Sequence, residues 1–144
     1  MKGGKTPVKQ QPAIVARVLV VDDNPTARLT LQTVLEAGGY RVDSAASAAE
    51  AVDKLDRKQY ELVLSDLQME SPEAGLKVLA HAKMMDYQPA TAIVTSESDS
   101  TSTSNEMLVE PEGVPELLSK VAGMISDRAT RRVGRRLRAM AVTN

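Results

Sequence analysis

The stretch RVLVVDDNP, residues 17–25, is the clearest indication of the fold class. Its continuous apolar run is typical of a short strand that is buried on both faces. Asn24 is a favourable N-cap and Pro25 a favourable first helical residue, so a helix is predicted to follow the strand at once. Gly38 and Gly39 are predicted to end that helix. The stretch therefore predicts a buried strand, an acidic turn and a helix.

The same alternation recurs along the chain. Further strands are predicted at 40–43, 60–65, 90–94 and 107–109. Ser47 and Glu50 have the spacing of a capping box, which predicts a second helix. A third helix is predicted from a stripe at Leu76, Leu79, Ala80 and Lys83, and a last helix from the apolar period over residues 114–125. Because strands alternate with helices, we predict an α/β fold whose parallel sheet is covered by helices on both faces.

One segment breaks this rhythm. Residues 96–105, between the fourth and fifth strands, are almost wholly Ser, Thr and acidic residues. These side chains favour caps and loops over helix interiors. The fourth helix is therefore predicted to be shortened or replaced by a loop.

Charge is segregated along the sequence. All 19 acidic residues lie between Asp22 and Asp127, whereas the two ends of the chain are basic. We expect a disordered leader over 1–16, a single domain over 17–127 and a basic helical extension or tail over 128–144. Gly134 is expected to interrupt a helix in that tail. Nucleic-acid binding is not expected, since no recognition motif accompanies the arginines.

Composition excludes several classes of function. The chain has no Cys, so thiol catalysis, disulfides and Cys-based metal sites are excluded. With a single histidine, His81, a histidine-based metal site is not expected. No run approaches the roughly 20 apolar residues of a membrane span, and no secretory signal is evident. A cytoplasmic protein that does not engage membranes is expected.

Polar side chains follow the predicted strands where each strand ends. These residues are Asp22, Asp23, Asp66, Thr95 and Glu110. Ligands of open parallel sheets bind at the carboxyl ends of the strands, so these side chains are expected to converge at one edge. Strand ends also carry Asp as caps and turn formers, which would explain one such residue. It does not explain an acidic pair, a third Asp and a Thr that each end a different strand.

Clustered carboxylates repel one another and are stable together mainly around a cation. Oxygen ligands favour a hard divalent ion, and partly hydrated Mg²⁺ suits one or two carboxylates with a phosphate. Beside such an ion, a carboxylate can act as a nucleophile toward a phosphoryl group. The pattern therefore favours phosphoryl chemistry with Mg²⁺ at this edge.

Three motifs carry a resemblance to a known family. Residues 18–23, VLVVDD, resemble the acidic-pair signature of bacterial response-regulator receiver domains. Residues 62–69, LVLSDLQM, resemble the phosphoacceptor strand of these domains, and residues 93–96, IVTS, resemble the strand that bears their conserved Thr or Ser. The resemblance covers residues 17–127 and implies a flavodoxin-like, doubly wound (βα)5 fold with strand order 2-1-3-4-5.

The resemblance also implies roles for particular residues. Asp66 would accept a phosphoryl group from a sensor histidine kinase or a phosphotransfer protein. Asp23, Asp66 and the backbone carbonyl of Gln68 would bind Mg²⁺ directly, and Asp22 would hold it through water. Thr95 would donate its hydroxyl to the phosphoryl group. The domain would be a signalling module in a two-component or phosphorelay pathway, not an enzyme, and would act on an unknown output protein by contact.

The sequence departs from the family pattern at two positions of the fifth strand. Glu110 stands before Pro111 where the family places a Lys that pairs with the phosphoryl oxygens. Met107 stands at the position of an aromatic switch residue. Neither Lys83 nor Arg28 is obviously placed to supply the missing cation. These departures put signalling through this strand in doubt.

Three hypotheses follow. The first is a phosphorylatable receiver, and the second is a pseudo-receiver that binds proteins without phosphorylation because Glu110 replaces the usual Lys. The third is a phosphatase, since residues 22–26, DDNPT, are faintly similar to the nucleophile motif of haloacid-dehalogenase-type phosphatases. Asn24, however, stands where that motif has its acid/base Asp.

Overall fold

The computed structural model describes residues 16–66, 69–94, 107–109 and 113–142. Its five strands are β1 (Arg17–Val21), β2 (Arg41–Ala45), β3 (Leu62–Asp66), β4 (Ala90–Val94) and β5 (Met107–Val109). The helices in these ranges are α1 (Pro25–Ala37), α2 (Ala48–Arg57), α3 (Pro72–Lys83) and α4 (Val114–Val142). The expected leader and the segment 95–106, where a shortened helix or a loop is expected, lie outside the described residues.

The strands form one parallel sheet in the order β2-β1-β3-β4-β5. All four pairings are parallel: β1 pairs with β2 on one side and β3 on the other, and β3 is the central strand of the sheet. A parallel pair needs a crossover, and helices supply the crossovers from β1 to β2, from β2 to β3 and from β3 to β4. The predicted doubly wound parallel sheet and its strand order are confirmed.

Alternation along the strands divides the core into two layers. Leu19 and Val21 of β1 face one layer, which contains the buried side chains of α2 and α3. Val18 and Val20 face the other layer, which contains those of α1 and α4. Successive side chains of a strand point to opposite faces, so a continuous apolar run is what a sheet covered on both faces requires.

Helices α1 and α2 begin where their caps predict. The side chain of Asn24 accepts a hydrogen bond from the Ala27 backbone N–H at 2.9 Å, with Pro25 at the first helical position. Ser47 Oγ accepts from the Glu50 backbone N–H at 3.1 Å, and Glu50 Oε1 accepts in turn from the Ala46 N–H at 2.8 Å. These caps satisfy N–H groups that a helix N-terminus otherwise leaves unpaired.

The predicted inward stripe of α3 was wrong in part. Leu76 is 49% exposed and Ala80 is exposed, whereas Ala74, Val78 and Ala82 are buried together with Leu79. These four buried residues lie on the face of α3 that packs against the sheet and α2. Strand ends also moved by one or two residues, as β2 starts at residue 41 and β3 at residue 62.

Helix α4 continues into the basic segment, where a helical extension or a tail is expected. It runs for 29 residues and passes through Gly134, so the expected interruption at that glycine was wrong. One glycine costs a helix only about 1 kcal/mol, and the neighbouring Arg, Leu, Ala and Met residues are good helix formers. At 1.5 Å per residue the helix is about 43 Å long. The expected boundary at residue 127 therefore lies within one continuous helix.

Candidate functional site

The register of the central strands brings the acidic residues together. Val21 pairs with Ser65 at the end of the β1–β3 ladder. The next residue on each strand, Asp22 and Asp66, therefore reaches the same carboxyl edge of the sheet. Asp66 itself pairs with Val94, the last residue of β4. The switch point of the sheet, where ligands of such folds bind, thus lies between Asp22 and Asp66.

The turn after β1 is held by its own hydrogen bonds. The Asp22 backbone N–H donates to the Ala45 carbonyl at 3.1 Å, which ties the turn to the end of β2. Asp22 Oδ1 accepts from the Asn24 backbone N–H at 2.9 Å. Arg28 Nη1 donates to the Asp22 carbonyl oxygen at 2.8 Å. One helical turn of α1 is thereby fixed against the acidic pair.

Asp22, Asp23 and Asp66 form a compact cluster. One carboxylate oxygen from each lies within 4.8 Å of the other two. Asp22 and Asp66 are half-buried and Asp23 is exposed. Three oxygen donors at this spacing, open to water on one side, suit a hydrated hard cation such as Mg²⁺ better than a softer metal. The donor set therefore fits the metal that the sequence implies.

Other residues named from the sequence lie beyond the described structure. Gln68, Thr95 and Glu110 fall in its gaps, and for Met107 only the backbone, in β5, is described. Their assigned roles stay predictions. In the sequence, Thr95 directly follows the end of β4 and Glu110 the end of β5.

The structure separates the two cations weighed as substitutes for the absent Lys. Arg28 lies at the acidic edge, through its bond to Asp22. Lys83, at the end of α3, lies toward the opposite edge, where it lines a cavity with Pro89 and Ala90 at the start of β4. Arg28 is thus the cation that the described residues bring to this edge beside Asp22.

Glu70 makes a contact that was not predicted from the sequence. Its Oε2 accepts a hydrogen bond from the Ala48 backbone N–H at 3.3 Å, at the first turn of α2. The preceding residue, Met69, is buried in the α2–α3 layer. A carboxylate near a helix N-terminus is favourable, but no local pattern indicates a partner 22 residues away.

The sequence matches the family described as response regulator receiver domain over residues 18–122. This match spans most of the chain, so the chain belongs to the receiver-domain family of two-component signalling. Receiver domains generally act as signalling modules that interact with sensor kinases and output domains.

Several relatives are similar over part or all of this region. The gliding motility regulatory protein of Myxococcus xanthus is 44% identical over 64 residues, which are 44% of this chain and 8% of that protein. The CAI-1 autoinducer sensor kinase/phosphatase CqsS of Vibrio cholerae is 30% identical over 119 residues, 76% of this chain and 17% of that protein. The chain thus spans less than a fifth of the length of either relative.

A solved structure shares the fold. The response regulator TrrA of Thermotoga maritima, in complex with Mg²⁺–BeF, superposes with a TM-score of 0.67 at 30% identity. The superposition covers 76% of this chain and 99% of TrrA.

Among the residues that the structure describes, none of the helices is long and apolar enough to cross a membrane.

Proposed function

We propose that this receiver domain accepts a phosphoryl group on Asp66 with the help of Mg²⁺, and signals to an output protein by contact. The observation that carries the proposal is the cluster of Asp22, Asp23 and Asp66, whose oxygens lie within 4.8 Å of one another. A surface cap or a turn requires one such carboxylate and not three from two neighbouring strands. The kinship with TrrA, solved with Mg²⁺–BeF, supports the same metal here.

Asp66 is the nucleophile in this proposal. One of its carboxylate oxygens attacks the phosphorus of a phosphohistidine on a sensor kinase or phosphotransfer protein, and the new P–O bond makes an acyl phosphate. The P–N bond breaks as this bond forms, and the imidazole nitrogen leaves with the electron pair and takes up a proton. Bound Mg²⁺ supplies positive charge that offsets the charge on the transferring oxygens.

The other residues of the proposed site would bind Mg²⁺ and orient the phosphoryl group. Asp23 and the Gln68 carbonyl would bind the metal beside Asp66, while Asp22 would hold one of its waters. Asp22 is already positioned by its bonds to Asn24 and Ala45. Thr95, next in sequence after β4, would donate its hydroxyl to the phosphoryl group. The domain would work in the cytoplasm as a signalling module and not as an enzyme.

Intact-mass spectrometry after incubation with phosphoramidate and Mg²⁺ tests the proposal. Wild type is expected to gain one phosphoryl group, and Asp66→Asn none. Asp53→Asn is the matched control, because Asp53 is an exposed aspartate on α2 that pairs with Arg57 at 3.0 Å. Equal adducts on wild type and Asp66→Asn would contradict the assignment of Asp66.

Removal of the metal gives a second readout. Chelation with EDTA is expected to abolish the adduct, and restored Mg²⁺ to bring it back. In a calorimetric Mg²⁺ titration, Asp23→Asn is expected to weaken binding by at least about tenfold, since a ligand and its charge are both lost. Binding that is unchanged in Asp23→Asn and in Asp66→Asn would show that the ion is held elsewhere.

Glu110 favours a second candidate function, a pseudo-receiver that binds its partner without phosphorylation. A carboxylate at the position of the family Lys would repel a phosphoryl group. In this case wild type gains no adduct, and Glu110→Lys gains one on Asp66 because the missing cation is restored. An adduct on wild type at a rate equal to that of Glu110→Lys would rule this alternative out.

A further inference from the structure

A basic cavity lies at the amino-terminal edge of the sheet, on the opposite side from the aspartate cluster. It has a volume of about 210 Å³ and is lined by Lys83, Gln88, Pro89, Arg128, Arg131 and Arg132. Four of these six side chains are cationic, and none of the described lining residues is acidic. The cavity joins the end of α3, the turn before β4 and the middle of α4.

Two of the arginines are held in place by the turn before β4. Arg128 donates from Nη2 to the Tyr87 carbonyl at 2.7 Å and from Nε to the Gln88 carbonyl at 3.0 Å. Arg132 donates from Nη1 to the same Tyr87 carbonyl at 2.7 Å. A guanidinium has five N–H donors, so each arginine keeps donors beyond these bonds. The bonds fix both groups before any ligand arrives, which lowers the entropy lost on binding.

The guanidinium groups repel one another. Partial burial and the positive charges of Arg132 and Arg131 lower the pKa of Arg128, while the carboxylate of Glu61 acts in the opposite direction. The side chain nevertheless stays protonated, as arginine does throughout the physiological range. Three guanidiniums around one cavity are an arrangement that a bound anion would stabilise.

A neighbouring depression of about 280 Å³ shares Lys83, Pro89 and Arg131 with the cavity and adds Asp127. The carboxylate of Asp127 disfavours an anion in that second depression. The first cavity is below the roughly 300–1,000 Å³ of pockets that enclose whole small molecules, so it fits one small charged group.

We propose that this cavity, formed by Lys83 with Arg128, Arg131 and Arg132, binds a phosphate group. Arginine forks match the geometry of phosphate oxygens and bind them through paired charge-assisted hydrogen bonds. The phosphate belongs either to a small phosphorylated molecule or to a nucleic-acid backbone. The site lies at the edge opposite Asp66 and does not depend on phosphorylation of that residue.

Inorganic pyrophosphate is the probe, added to the full chain without Mg²⁺ and with EDTA so that no metal-bound anion can occupy the aspartate cluster. In ¹H–¹⁵N NMR spectra, the amide signals of Gln88, Ala90, Thr91 and residues 128–132 are expected to shift and to saturate, with a Kd of about 1 mM or below. Absence of saturable shifts there, or larger shifts elsewhere, would overturn the proposal.

Two variants that each remove one positive charge distinguish a specific binding site from non-specific electrostatic attraction. Arg131→Gln removes a cation that lines the cavity and is expected to weaken the binding of pyrophosphate by about tenfold. Arg57→Gln removes an exposed arginine of α2 that does not line this cavity, and less than about a twofold change is expected. Equal weakening by both variants would show only non-specific attraction.

A short DNA duplex identifies the source of the phosphate. Displacement of pyrophosphate by the duplex, with an affinity that falls steeply with salt concentration, would assign the cavity to a nucleic-acid backbone. Saturable pyrophosphate binding that the duplex leaves unchanged would assign it to a small phosphorylated molecule.

Discussion

Tyr60 is a buried residue whose hydroxyl connects two distant strands. It lies just before β3 and donates to Asp43 Oδ2 of β2 at 2.7 Å. Burial alone would raise the pKa of Asp43, but the bond from Tyr60 and the charges of Lys58 and Arg17 outweigh it, so this pKa is lowered. Burial and the same bond raise the pKa of Tyr60, which keeps its hydroxyl protonated as a donor.

Tyr60→Phe is expected to reduce the free energy of unfolding by about 1 kcal/mol at neutral pH, as the net worth of one hydrogen bond to a partly buried group. The pKa of Asp43 is lower in the folded state than in the unfolded state. The ionised Asp43 carboxylate therefore stabilises the fold at pH values above its unfolded pKa, and this stabilisation is lost as the pH falls through its folded pKa. The difference in free energy of unfolding between wild type and Tyr60→Phe should therefore become smaller below about pH 4. Urea denaturation at several pH values measures it.

Tyr40→Phe is the control, because the Tyr40 hydroxyl makes none of the hydrogen bonds found among the described residues, and little change is expected. If Tyr60→Phe lowers the free energy of unfolding by the same amount at every pH, the hydrogen bond from Tyr60 to Asp43 is not the cause of the lost stability.

Two glycines have opposite effects on the stability of the segments that contain them. Gly39, after α1, has a φ of +100°, a conformation that side chains with a Cβ rarely adopt. Gly123 lies on the exposed face of α4, where a Cβ would meet nothing within 4 Å. The first glycine is required by the turn between α1 and β2, and the second only weakens its helix.

The same substitution should therefore act in opposite directions at the two glycines. Gly123→Ala is expected to raise the free energy of unfolding by about 0.5–1 kcal/mol, because alanine loses less backbone entropy in a helix. Gly39→Ala is expected to lower it by about 1–2 kcal/mol through the positive φ. Urea denaturation of both variants tests this, and a loss of stability in Gly123→Ala would contradict the described environment of α4.

The whole molecule depends on two aliphatic layers, one on each side of the sheet. Leu55 of α2 is central to one layer and Leu35 of α1 to the other, with exposures of 1% and 0%. With no Phe or Trp in the chain, branched aliphatic side chains supply most of the buried volume. Neither layer can stabilise the fold alone, since a parallel sheet needs both faces covered.

Leu35→Ala and Leu55→Ala are each expected to cost about 2–5 kcal/mol, as the lost transfer energy plus the cavity left behind. Leu29→Ala, at a position of α1 that is 62% exposed, should change stability by less than about 0.5 kcal/mol. Chemical denaturation of the three variants compares them. A small loss in only one buried variant would show that its layer contributes little to the fold.

The two edges of the molecule differ in charge. The carboxyl edge carries Asp22, Asp23 and Asp66, and the amino edge carries the cavity with Arg128, Arg131 and Arg132. In the sequence, the aspartates belong to the acidic middle of the chain and the arginines to its basic C-terminal segment. Folding places them on opposite sides of one sheet, so the proposed cation site and the proposed phosphate site lie at opposite edges of the domain.

The sheet, its helices and the convergence of three aspartates could be predicted from the amino-acid sequence. These features follow from local signals: apolar runs, the caps at Asn24 and Ser47, and the rule that parallel strands end at one edge. The buried face of α3 and the passage of α4 through Gly134 were decided by tertiary packing, because local patterns do not show which neighbour a helix meets. The bonds from Tyr60 to Asp43 and from Arg128 to Tyr87 join residues 17 and 41 positions apart. Only the folded chain creates such contacts, since their energy depends on distances that no local pattern fixes.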